Sequence, residues 1–125
     1  MPSLPQISDA EWDVMKVLWD RGSAAAQDVV DALAVERNWA PGTVKTLLGR
    51  LVKKGAAKVE ADGRRFLYRP ACSRDAVVRA EAKSFLRRVF DGAVTPALVH
   101  LVRAGNLSRK DIDDLKKVLE REAKP

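Results

Sequence analysis

Residues 39–55, WAPGTVKTLLGRLVKKG, interleave two patterns of the same period. Val44, Leu47, Leu48 and Leu51 recur at i, i+3, i+4 and i+7, while Gly42, Lys45, Thr46, Gly49, Arg50 and Lys53 recur on the opposite side. The spacing predicts an amphipathic helix that docks its apolar stripe on a core. Docking alone does not require the other face to be small, hydroxylated and cationic, and to carry no acid. Pro41 stands where a first-turn proline is tolerated, and Gly55, behind Lys53 and Lys54, supplies the stop, with two cations near the C-terminal dipole.

Upstream, Ser8 followed by Glu11 forms a capping box, and Trp12, Met15, Leu18 and Trp19 run at helical spacing up to Gly22. Ser23 is placed to cap a second helix, with Val29, Val30 and Leu33 as its stripe and its exit near Asn38. Downstream, the residues AAKVEADGRRFLYRP place Asp62-Gly63 between two short segments rich in Val, Phe, Leu and Tyr. That pair predicts a hairpin with a type I′ turn, because both central residues of such a turn need positive φ, and Arg64 and Arg65 follow at the tip. Three short helices and a two-stranded hairpin make a winged helix-turn-helix, in which the third helix enters the major groove of DNA.

Charge agrees with this reading. The chain of 125 residues has a net charge of +6, and the excess is local. Residues 1–39 hold three basic against seven acidic residues, whereas residues 40–70 hold eight against two. A basic block on the third helix and the hairpin is the footprint expected of a polyanion partner. Gly42 and Gly49 on the polar face either permit close approach to DNA or are simply exposed. Trp12, Trp19 and Trp39 are read as anchors of a small core, since winged helices read duplex grooves and do not splay bases.

Other classes of function find little support. Cys72 is the only cysteine and His100 the only histidine, so neither a thiolate metal cluster nor a nucleophile held beside a base can be assembled. No Gly-rich phosphate loop is present, and no apolar run approaches the roughly 20 residues of a membrane span. The expectation is a cytoplasmic protein without enzyme activity, metal or cofactor, and without membrane insertion. A winged helix whose basic face meets an acidic protein is the alternative reading.

The stretches ISDAEWDVMKVLW, NWAPGTVKTLLGRLVKKG and GRRFLYRP resemble the N-terminal domain of the penicillinase and methicillin-resistance repressors (BlaI/MecI type), a family that also holds copper-responsive repressors. SFLRRVFDG and LSRKDIDDLKKVLE resemble its C-terminal dimerisation region. The resemblance implies a mostly α fold with a small β wing: a winged helix-turn-helix DNA-binding domain over residues 1–72 and a helical dimerisation region over residues 73–125. It implies a homodimeric repressor on a palindromic, double-stranded operator, in a circuit of the β-lactam-resistance type. Thr43, Lys45, Thr46 and Arg50 would then meet bases, with Lys53 and Lys54 nearer phosphates and Arg64 and Arg65 on the wing.

Beyond Ser73, a long helix bearing Val77, Ala82, Phe85, Leu86, Val89 and Phe90 is expected to end at Asp91-Gly92. Two more follow, one from about Thr95-Pro96 and one from Ser108. Some fifty residues cannot cover that many apolar side chains alone. Phe85, Val89, Phe90, Leu98, Leu101, Leu115 and Leu119 are therefore expected to meet a second copy. Two departures from the family pattern stand out. Copper-responsive members carry paired C-terminal cysteines, and this chain ends LEREAKP. In the antibiotic-responsive members a membrane-bound sensor protease triggers cleavage at an Asn-Phe bond, and the matching pair here is His100 and Leu101. His100 itself is read as a packed or interface histidine.

Overall fold

The computed structural model describes residues 4–124. Its elements run α1 (Asp9–Arg21), α2 (Ala26–Leu33), α3 (Pro41–Lys54), β1 (Ala57–Asp62), β2 (Arg65–Pro70), α4 (Arg74–Phe90), α5 (Val94–Ala104) and α6 (Arg109–Glu122). They divide into two compact units, one extending through Glu81 and the other starting at Ala82.

In the first unit each helix begins and ends for a local reason. The Ser8 hydroxyl accepts the Glu11 N–H at 3.3 Å, and the Glu11 carboxylate accepts the Ser8 N–H at 2.9 Å, so the expected capping box closes α1. Gly22, at φ +81°, ends the helix and donates its N–H to the Leu18 carbonyl. Pro41 opens α3, and Gly55 adopts the left-handed conformation at φ +83° while its N–H reaches the carbonyls of Leu51 and Val52. The stripe Val44, Leu47, Leu48 and Leu51 is buried against Val14, Met15 and Leu18 of α1 and Val29 and Leu33 of α2. Each such side chain contributes about 1.5–3 kcal/mol by leaving water. Trp19 and Trp39 pack on this core as anchors, and the Trp19 indole N–H donates to the Cys72 carbonyl at 3.0 Å.

Two local readings are corrected. The second helix starts at Ala26, not behind Ser23, because Ala24 is paired in antiparallel fashion with Tyr68. Its N–H donates to the Tyr68 carbonyl at 2.9 Å and the Tyr68 N–H returns to the Ala24 carbonyl at 2.8 Å, which holds the chain extended. The Asp28 carboxylate then accepts the Ala25 N–H at 3.0 Å. In the hairpin, Asp62 pairs with Arg65, so the central turn residues are Gly63 and Arg64, not Asp62 and Gly63. Only Gly63 has positive φ, +64°, as in a type II′ turn, which asks for glycine at the first central position.

The second unit has a different character. Asp91 and Gly92, both at positive φ, end α4 where the sequence indicates, and α6 starts from a Ser108–Asp111 capping box. Phe85 and Phe90 meet edge to face at 5.8 Å, and the His100 ring lies 5.7 Å from Phe90. Among the described residues of this unit only Ala97 is buried. Phe85, Val89, Leu101, Val118 and Leu119 are each between 36% and 54% exposed, and α6 buries none of its residues. Phe90, Leu98 and Leu115 are half-buried.

Candidate nucleic-acid interface

The packing of α3 determines what it shows to solvent. With Val44, Leu47, Leu48 and Leu51 fixed inward, Thr43, Lys45, Thr46, Arg50 and Lys53 are all exposed, and so are Gly42 and Gly49. A Cβ added at either glycine would meet nothing within 4 Å. The Thr46 hydroxyl donates to the Gly42 carbonyl one turn back at 2.9 Å, leaving its methyl and its lone pairs for another partner. Among the described residues Lys45, Arg50, Lys53 and Arg64 have no carboxylate partner. Arg65 lies 3.5 Å from Asp62 across the turn, an exposed pair worth little in water.

A cleft of about 700 Å³ opens between the start of α2, the start of α3 and the hairpin tip. Lys45, Arg64 and Arg65 line it together with Gln27, Asp28, Phe66 and Tyr68, the Asp28 carboxylate being engaged by the Ala25 N–H. The fold thus brings a cation from the helix and two from the wing to one opening, although some twenty residues separate them in sequence. Arg50 and Lys53 continue the basic strip along α3 outside the cleft. Register places Val59, Ala61, Phe66 and Tyr68 on one face of the hairpin. Tyr68 packs on the core from that face, while Phe66 is 59% exposed. In the sequence Phe66 is one of the apolar residues that mark the hairpin strands. The available signal was its alternation with Tyr68 directly after the tip arginines.

Lys54 stands apart from the other expected contacts. Its ammonium lies 2.5 Å from the carboxylate of Glu11 and donates to the Gln6 carbonyl at 3.0 Å. Glu11 is only 1% exposed. Burial by itself would push this carboxyl up, but the Lys54 ammonium and the Ser8 N–H and hydroxyl together hold it below the ordinary glutamate range. Cys72 is half-buried, its thiol pushed up by burial. Among the described residues no group of His, Cys, Asp and Glu side chains is arranged to hold a metal ion, and no helix is long and apolar enough to cross a membrane.

Residues 7–121 match the family described as penicillinase repressor. The chain belongs to the penicillinase repressor family. It is 36% identical over 120 residues to the penicillinase repressor of Bacillus licheniformis, covering 96% of this chain and 94% of that one. It is 29% identical over 116 residues to the methicillin resistance regulatory protein MecI of Mammaliicoccus sciuri, covering 93% and 94%. Among solved structures it is similar to monomeric Bacillus licheniformis BlaI in complex with the blaP half-operator. That match is at 43% identity and TM-score 0.52, over 60% of this chain and 92% of that one. A second BlaI structure, of its DNA-binding domain, matches at 43% identity and TM-score 0.53 over 59% and 90%. The winged-helix fold expected from the quoted motifs is therefore the family's fold, and family and fold are those of transcriptional repressors.

Proposed function

We infer that this penicillinase repressor family member is a transcriptional repressor that holds operator DNA with the exposed face of α3 and the wing. The convergence of Lys45, Arg64 and Arg65 on one cleft, beside a helix face that carries no acid, is the observation that carries the reading. In this reading α3 lies in the major groove. Thr43, Lys45, Thr46 and Arg50 face base edges: Lys45 donates to guanine O6 or N7, and the Thr46 methyl meets a thymine methyl. Lys53, Arg64 and Arg65 bind phosphates and set the register of the helix. The structure of BlaI on a half-operator, a relative 43% identical over 60% of this chain, supports DNA binding by this unit.

Residues 73–125 form the dimerisation region in this proposal. Apolar side chains left half exposed on α4, α5 and α6 are the surface a second copy would cover, and a two-fold dimer calls for a palindromic operator with half-sites about a helical turn apart. Acting on an operator places the chain in the cytoplasm. Release by a membrane-anchored sensor protease is the circuit implied by the antibiotic-responsive relatives. His100 and Leu101 are exposed but lie inside α5, so a protease that requires an extended substrate would have to unwind that helix first.

A mobility-shift titration on the chain's own upstream DNA, repeated over a salt series, tests the reading. Specific binding should weaken steeply as salt rises, because each neutralised phosphate releases counterions. Sequence-independent binding, or none, would overturn it in favour of a protein-binding winged helix.

A further inference from the structure

We propose that Lys54 is a positioning residue: clamped between the buried carboxylate of Glu11 and the Gln6 carbonyl, it fixes the C-terminal end of α3 to α1 and does not bind phosphate. The proposal rests on α3 being the recognition helix, and it divides the two adjacent lysines at the end of that helix into different roles.

Helical phase is the first support. Successive residues of an α-helix point about 100° apart, so Lys53 and Lys54 cannot share a direction. Lys53 follows Thr46, Gly49 and Arg50 at i+7, i+4 and i+3 and falls on the exposed polar face. Lys54 follows Leu47 and Leu51 at i+7 and i+3, so, although itself exposed, it leans from the end of the buried stripe toward α1. Glu11 meets it from the matching face, since Glu11, Val14, Met15 and Leu18 are the buried residues of α1.

Energetics is the second. Glu11 is the one buried charged side chain among the described residues, and a carboxylate out of water needs a compensating charge. Lys54 provides that charge, and the Ser8 N–H donates to the same carboxylate oxygen, Oε1. An ammonium already paired with a carboxylate would have to give up that partner to neutralise a phosphate, so it displaces few of the counterions condensed on DNA. The contact to the Gln6 carbonyl also straps the segment ahead of α1 onto the end of α3. Removing the clamp should therefore loosen the angle at which α3 is presented, without removing a phosphate contact.

The test uses the full chain, its upstream operator fragment and a random fragment of equal length. Lys53→Met should weaken binding to both fragments and make the plot of log affinity against log salt less steep by about 0.9 per subunit. Lys54→Met should lower operator affinity on the order of tenfold or more, change binding to random DNA much less, and leave the operator salt slope as in the unmodified chain. Glu11→Gln discriminates further. Deleting an acid from a basic protein would tighten DNA binding if only long-range charge counted, whereas here it should weaken operator binding as Lys54→Met does, and the double variant should be no worse than either single one. Hydrogen exchange on the free chain gives a readout independent of DNA: protection over residues 8–11 and 51–54 should fall together in both single variants while the core of α1 stays protected. A salt slope reduced in Lys54→Met as in Lys53→Met, a tighter complex with Glu11→Gln, or unchanged protection of residues 8–11 in Lys54→Met would each overturn the proposal. Absence of operator binding by the unmodified chain would instead overturn the DNA-binding reading, and the exchange result would still decide whether the clamp exists.

Discussion

Leu101→Ala offers a quantitative test of the proposed two-fold assembly. Leu101 is 54% exposed on α5, so a partner that covers it would remove about half a leucine side chain from water. Complete burial of a leucine is worth about 1.5–3 kcal/mol, and the uncovered half therefore about 1 kcal/mol. A two-fold axis repeats the change in each copy, which gives about 2 kcal/mol per dimer and a dissociation constant raised about thirtyfold. Sedimentation velocity over a concentration series would read the shift from dimer to monomer directly. Circular dichroism should stay close to that of the unmodified chain, because alanine is a strong helix former at this exposed position of α5. An intact chain that sediments as a monomer at micromolar concentration would refute the reasoning. So would a variant whose dissociation constant is unchanged.

Three further outcomes are expected. Lys45→Ala and Thr46→Ala should each reduce discrimination between operator and random DNA by about 1–3 kcal/mol in competition titrations, whereas Arg64→Ala should weaken binding to both. Gly63→Ala should destabilise the first unit by about 1–2 kcal/mol in urea melts, since Gly63 sits at φ +64° with open space around it and only the backbone conformation is penalised. Glu11 sets a pH dependence: its folded value lies below the ordinary one, so its contribution is complete above about pH 4.3 and is lost as pH falls through the lower folded value. Stability measured by melting between pH 6 and the acid limit should therefore drop more steeply in the natural chain than in Glu11→Gln, and parallel curves would contradict the assignment.

How far the sequence sufficed depended on whether a feature was local. Helix α3 was legible from Pro41 to Gly55 because its stripe, its first-turn proline and its terminal glycine all act within one segment. The start of α2 was not, since Ala24 is held extended by Tyr68, more than forty residues away. The hairpin was visible in composition, but its turn was placed one residue early: Asp62-Gly63 is a strong dipeptide signal, and strand pairing from Ala57 with Pro70 through Asp62 with Arg65 outweighs it. Among the candidate interface residues, the exposed face of α3 followed from periodicity alone. Lys54 was grouped with Lys53 by charge, although its phase with Leu47 and Leu51 already pointed it at α1. The convergence of Lys45 with Arg64 and Arg65 depended on how the wing folds back beside α3, which no local pattern specifies.

The pairing of Ala24 with Tyr68 bears on how this domain could be re-engineered. A two-stranded ribbon is marginal in water unless a third strand or a packed face supports it. Here Ala24, two residues ahead of α2, supplies a single rung of such a third strand. The wing is thus not an interchangeable cassette bounded by Ala57 and Pro70. A chimera that transplants those residues into another winged helix would leave behind the rung that anchors Tyr68 and, through the register, sets where the tip arginines are held. A graft that carries residues 22–25 along with the hairpin should keep its geometry, while the hairpin alone should fray from the Tyr68 side first.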